Sequence, residues 1–77
     1  MDMKERLKQL RKIKKLSQQK VAKAIGITTS AYGNYEQGKR KPCLEILVKL
    51  SEFYGVSIDY LIYGKDLYSS KLCTSAS

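Results

Sequence analysis

Residues 17–38, SQQKVAKAIGITTSAYGNYEQG, decide how this chain folds. Val21, Ala22, Ala24 and Ile25 precede a glycine, Gly26, and Ile27, Ala31, Tyr32 and Tyr35 follow it. Ser17 and Thr28 stand where two helices would begin, and a side-chain oxygen at such a place accepts a backbone N–H that helix geometry leaves unpaired. Gly26 falls where the first helix must stop and the chain reverse, which calls for positive φ. The stretch therefore predicts two short helices joined by a tight turn.

On its N-terminal side, residues 3–15, MKERLKQLRKIKK, place Met3, Leu7 and Leu10 at helical spacing, with Lys and Arg around most of the remaining circumference. Asp2 and Glu5 are expected to form a capping pair for this first helix. Arg11 lies one step from Leu10, so its stem is expected to be covered while its guanidinium seeks a carboxylate. Leu16 closes the hydrophobic edge. On the C-terminal side, Gly38 ends the third helix within QGKRKP, and Pro42 either opens the next helix or prevents the previous one from continuing. Residues 43–54, CLEILVKLSEFY, predict a fourth helix with an apolar face of Leu44, Leu47, Val48, Leu50 and Phe53, stopped by Gly55. Ser57 caps a last short helix whose inward side is Ile58, Leu61 and Ile62 and whose stop is Gly64. No strand pattern or internal repeat occurs, so the fold class expected is all-α, with five helices in a domain over residues 1–64. Residues 65–77, KDLYSSKLCTSAS, have no sustained period and are expected to be a flexible tail.

Seventy-seven residues are enough for one small domain. Charge is unevenly placed: residues 1–41 hold twelve Lys/Arg against Asp2, Glu5 and Glu36, a net +9, whereas residues 42–77 carry −1. A basic N-terminal half favours a polyanion, nucleic acid or an anionic membrane, as partner. The first helix lacks the Trp/Phe anchors of an interfacial helix and needs its apolar stripe for the core, which argues against the membrane. No window reaches the roughly 18 continuous apolar residues of a transmembrane helix, and the charged start MDMKERLKQL is no signal peptide. A cytoplasmic location is expected. With no His, no nucleophile motif and no glycine-rich phosphate loop, the chain is not expected to be an enzyme or to carry a cofactor. Cys43 and Cys73 have no zinc-site spacing and read as unrelated free thiols, so no metal site or small-molecule ligand is expected.

Two helices connected as in residues 17–38 are a helix-turn-helix unit, whose second helix can lie in the DNA major groove. The blocks LSQQKVAKAIGI, YEQGKRKP and LSEFYGVSIDYLIYG, in this order and spacing, resemble the phage lambda-repressor and Cro-like, or XRE-like, helix-turn-helix family over roughly Met3 to Gly64. The resemblance implies a compact five-helix domain that binds double-stranded DNA as a homodimer. It implies base reading by Thr29, Ser30 and Asn34 on helix 3, and a phosphate contact from Gln18. Phosphates would also be gripped by the loop from Gln37 through Lys39, Arg40 and Lys41. It further implies a structural ion pair between Arg11 and Glu36, and a dimer surface on helix 5 and the tail. Tyr60, Tyr63 and Tyr68 are available there, or are ordinary surface or core residues.

The chemistry of these side chains agrees. Asn can bond both N6 and N7 of adenine, and Thr offers a methyl that suits the thymine methyl. With no Arg or Lys on this face, the half-site is expected to be weighted towards A·T pairs. Gly33 either lets helix 3 approach the groove floor or is a tolerated weak helix former on an exposed face. The resemblance implies that Tyr32 and Tyr35 pack helix 3 onto the core, with the Tyr35 hydroxyl and the Thr28 amide also placed to meet phosphates. Cys43 replaces the serine usual at the start of helix 4. The function expected is a transcriptional regulator, a repressor of phage, mobile-element or bacterial genes. The competing expectation is a protein-interaction module of the same fold, an antitoxin or accessory subunit, which would be insensitive to charge reversal at Lys39–Lys41.

Overall fold

The computed structural model describes residues 2–64, so the expectations for the tail, Tyr68 and Cys73 lie outside the described residues. Five helices follow one another: α1 (Met3–Ile13), α2 (Gln18–Ile25), α3 (Thr29–Gln37), α4 (Leu44–Tyr54) and α5 (Ile58–Tyr63). They enclose one core of Leu7, Val21, Ala22, Ile25, Tyr32, Leu50, Tyr54 and Leu61. α3 packs against both α1 and α2, while α4 lies between α2 and α5.

The helix starts follow the sequence signals where a hydroxyl is present. Ser17, Thr28 and Ser57 accept the N–H groups of Lys20, Ala31 and Tyr60 through their side chains. Asp2 and Glu5 do not form the expected capping pair. The Asp2 side chain makes no capping bond, and its backbone carbonyl accepts the N–H groups of Glu5 and Arg6 instead. Cys43 likewise gives α4 no side-chain cap, and its thiol is free and exposed. Pro42 is buried immediately before it, two residues ahead of the first helical residue.

The first helix ends earlier than its periodicity predicts, at Ile13 rather than residue 15. Its closing turn is the one α2 makes at Gly26 (φ 81°), but the left-handed position is occupied by Lys15 (φ 58°). Lys15 N–H donates to Lys12 O and Leu16 N–H to Arg11 O, the pattern by which Gly26 and Ile27 close α2 onto Lys23 and Ala22. A glycine marks the second end in the sequence; a lysine hides the first.

Three apolar faces are narrower than expected. Ala24 is exposed. Leu44 (70% exposed) and Val48 (38%) stand off the core, because the buried stripe of α4 runs through Leu50 and Tyr54 with Leu47 and Phe53 beside it. In α5, Leu61 is fully buried while Ile62 is 38% exposed, as one and a half turns can bury one ridge only. Conversely Arg6, expected among the solvated cations of α1, is buried. Its Nε donates to Leu61 O at 3.0 Å and its Nη2 to Ile62 O at 2.6 Å. Carbonyls at a helix end have no partner within the helix, so α1 supplies one to α5 from the other end of the chain.

The left-handed conformation costs a non-glycine residue roughly 1–2 kcal/mol, partly offset for glycine by its freedom in the unfolded chain. Lys15→Gly is therefore expected to raise the unfolding free energy by about 0.5–1 kcal/mol. Urea denaturation reads this directly, and a midpoint at or below that of the wild type refutes it.

Candidate nucleic-acid interface

α3 carries the residues expected to read bases. Thr29 and Ser30 are exposed in its first turn, and Asn34 is half-buried one turn after Ser30, on the same side of the helix. The backbone carbonyl of Asn34 accepts Lys39 N–H at 2.9 Å and Arg40 N–H at 3.4 Å. The loop bearing Lys39, Arg40 and Lys41, all exposed, thus starts from the same residue. Tyr32 is fully buried, and Tyr35 is half-buried against the core.

α3 is held in place by a polar network. Glu36, with a side chain only 1% exposed, receives Arg11 Nε at 2.7 Å and Arg11 Nη2 at 3.1 Å from α1. Arg11 also donates from Nη1 to Leu16 O. Gln18, at the first position of α2, donates through Nε2 to Glu36 Oε1 at 3.0 Å. Tyr32 and Tyr54 share a 2.6 Å hydrogen bond between their hydroxyls, which adds α4. Burial pushes the Tyr54 phenol up to about 12, and the Tyr32 phenol is likewise raised, first by burial and then by its bond to Tyr54, so both stay protonated. Burial by itself would raise the Glu36 carboxyl, but the donors Arg11 and Gln18 and the nearby Tyr32 hydroxyl outweigh it and hold the group below its ordinary value.

Gly33 departs from one of its two expected readings. It is buried, not on an exposed face, and a Cβ there would lie 3.3 Å from Gln18 Oε1. The Gln18 amide that reaches Glu36 thus passes closer to this position than an ordinary Cβ contact. Sequence spacing places Gln18 and Gly33 on different helices, and nothing in the residue types announces that they touch.

A helix-turn-helix family model matches residues 7–61. The chain belongs to the Cro-like helix-turn-helix family of transcriptional regulators. The SPbeta prophage-derived uncharacterized regulator YonR of Bacillus subtilis strain 168 is 52% identical over 60 residues, covering 78% of this chain and 56% of YonR. The cryptic phage CTXphi transcriptional repressor RstR of Vibrio cholerae is 40% identical over 57 residues, 74% of this chain and 51% of RstR. The P22 c2 repressor, solved in complex with a synthetic operator, superposes with a TM-score of 0.81 at 32% identity, covering 84% of this chain and 98% of that one. This Cro-like chain spans about half the length of the Bacillus subtilis regulators it matches first. Its family is one of regulators and has no enzyme fold. Among the described residues no helix is long and apolar enough to cross a membrane.

Two outcomes follow from the network. Because the folded carboxyl of Glu36 binds a proton less readily than its ordinary value of 4.5 would give, its contribution to stability is complete above that pH and is lost as pH falls below it. Glu36→Gln lacks this component, so the stability gap between wild type and variant should narrow as pH is lowered from about 7 to about 3. A gap constant over that range, in denaturant titrations, contradicts it. The contact at Gly33 is tested by a double-mutant cycle. Gly33→Ala is expected to add about 1 kcal/mol, the ordinary helix-propensity gain, only in a Gln18→Ala background. An equal gain with Gln18 present would show that the two residues are independent.

Proposed function

We propose that this chain is the operator-binding domain of a cytoplasmic repressor. It binds double-stranded DNA as a homodimer, one copy on each half of a pseudo-palindromic site with half-site centres about 10 bp apart. Occupancy of the operator excludes polymerase. One observation carries the reading: α3, with Thr29 and Ser30 exposed and Asn34 half-buried, is held by bonds from Arg11 and Gln18 to Glu36 and from Tyr54 to Tyr32, in a fold shared with a repressor solved with a synthetic operator.

In this reading Thr29, Ser30 and Asn34 meet base edges. Gln18, Thr28, Tyr35, Lys39, Arg40 and Lys41 meet phosphates, which set affinity and register without carrying sequence. The base-reading side chains are short and uncharged, so the site is weighted towards A·T pairs, with Asn34 on adenine. Dimer contacts come from α5, where Tyr63 is 60% exposed.

The test is a fluorescence-anisotropy titration against a randomised duplex pool, with sequencing of the bound fraction, for the wild type and Asn34→Ala. A two-fold symmetric site should be enriched. The variant should lose about 1–3 kcal/mol of discrimination at one position per half-site. Binding of every duplex alike by both proteins, or of none, overturns the reading and favours the protein-interaction module.

A further inference from the structure

The basic loop after α3 has a neighbour from the other end of the domain. Gly38 closes α3 in the left-handed conformation, φ 78°. A Cβ on it would lie 2.8 Å from Cδ of Lys4 and 3.6 Å from its Nζ. Lys4, in the first turn of α1, is thus laid across the backbone of the residue that opens the loop, and the bare glycine leaves room for its stem. Lys4, Tyr35, Arg40 and Lys41 line one cavity of about 510 Å³, with Asp2 as the acid on its wall. Among the described residues, no carboxylate lies within salt-bridge distance of Lys4, Lys39, Arg40 or Lys41. Three cations from two separate segments, Lys4, Arg40 and Lys41, thus share one cavity with a single acid, Asp2, among its described lining residues, and this excess of positive charge favours an anion from outside.

We propose that Lys4 is a phosphate-binding residue of the DNA interface, acting with Lys39, Arg40 and Lys41 on one run of the sugar-phosphate backbone. This rests on the DNA-binding reading above and adds to it a contact from α1. An ammonium on a flexible four-carbon stem meets phosphate oxygens as a point charge whatever the base sequence, so Lys4 contributes affinity and no discrimination. Lys8 and Lys12 of the same helix line a different surface depression with Glu5 and Ile13, and serve as the comparison.

The experiment measures binding of the full chain to a fluorescent random-sequence duplex across about 50–200 mM salt, for wild type, Lys4→Gln, Lys4→Arg, Lys8→Gln and Arg40→Gln. Lys4→Gln should flatten the slope of log K against log salt by about 0.9, the value of one phosphate contact. Lys4→Arg should restore it, and Lys8→Gln should leave it unchanged. If Lys4→Gln keeps the wild-type slope while Arg40→Gln flattens it, Lys4 lies outside the interface and the proposal fails alone. If Lys8→Gln flattens the slope as much as Lys4→Gln, net charge rather than position is responsible, and the proposal again fails. If neither Lys4→Gln nor Arg40→Gln changes the slope, the loop does not grip DNA and the DNA-binding reading of this surface fails with it.

Discussion

One buried carboxylate, that of Glu36, anchors α3, the second helix of the helix-turn-helix. A carboxylate out of water is tolerated when it is paired and hydrogen-bonded, and removing a partner from such a pair typically costs about 3–5 kcal/mol. Here the partners come from two other helices, Arg11 from α1 and Gln18 from α2. α3 itself supplies little to hold it by apolar contact: of its nine residues, TSAYGNYEQ, only Tyr32 is a large side chain fully buried in the core. Hydrophobic burial is non-directional and would leave such a helix free to rotate about its axis. The directional bonds to Glu36, with the Tyr32–Tyr54 bond beside them, restrict that rotation and so decide which side of α3 faces outward.

The same economy of apolar surface is visible in the other helices. They are six to eleven residues long, too short to be stable alone in water. Each is made by its neighbours: α5 has its terminal carbonyls met by Arg6 of α1, and α1 lies against α3 through Arg11. α1 therefore ties together the helix expected to touch DNA and the helix expected to touch a second copy. A chain with +9 in its first 41 residues uses two of its arginines internally in this way, and the remaining cations are left to make the outward field.

The position of those cations decides how the field is used. Lys39 and Arg40 donate their backbone N–H groups to the carbonyl of Asn34, which ties the basic loop to the side of α3 proposed to meet DNA. Lys4 joins them across Gly38. Gly33 plays the corresponding part on the other flank, where a bare backbone admits the Gln18 amide. In both places a glycine lies against the side chain of a distant residue.

Much of this protein was determined by sequence acting locally. Hydroxyls at Ser17, Thr28 and Ser57 and glycines at Gly26, Gly38, Gly55 and Gly64 set the limits of the helices, because caps and left-handed closures involve residues only a few positions apart. The five-helix all-α class and the helix-turn-helix were legible for that reason. So was the pairing of Arg11 with Glu36, through the family the sequence resembles. The end of α1 was not, since Lys15 adopts a glycine's conformation without a glycine's sequence signal. Tertiary structure alone decided the rest: that Arg6 is buried on α5, that Leu44 and Ile62 are left in solvent, that Gly33 belongs to Gln18 and Gly38 to Lys4. These are contacts between elements far apart in the chain, and the spacing of residues along one helix carries no information about which residue of another helix will meet it.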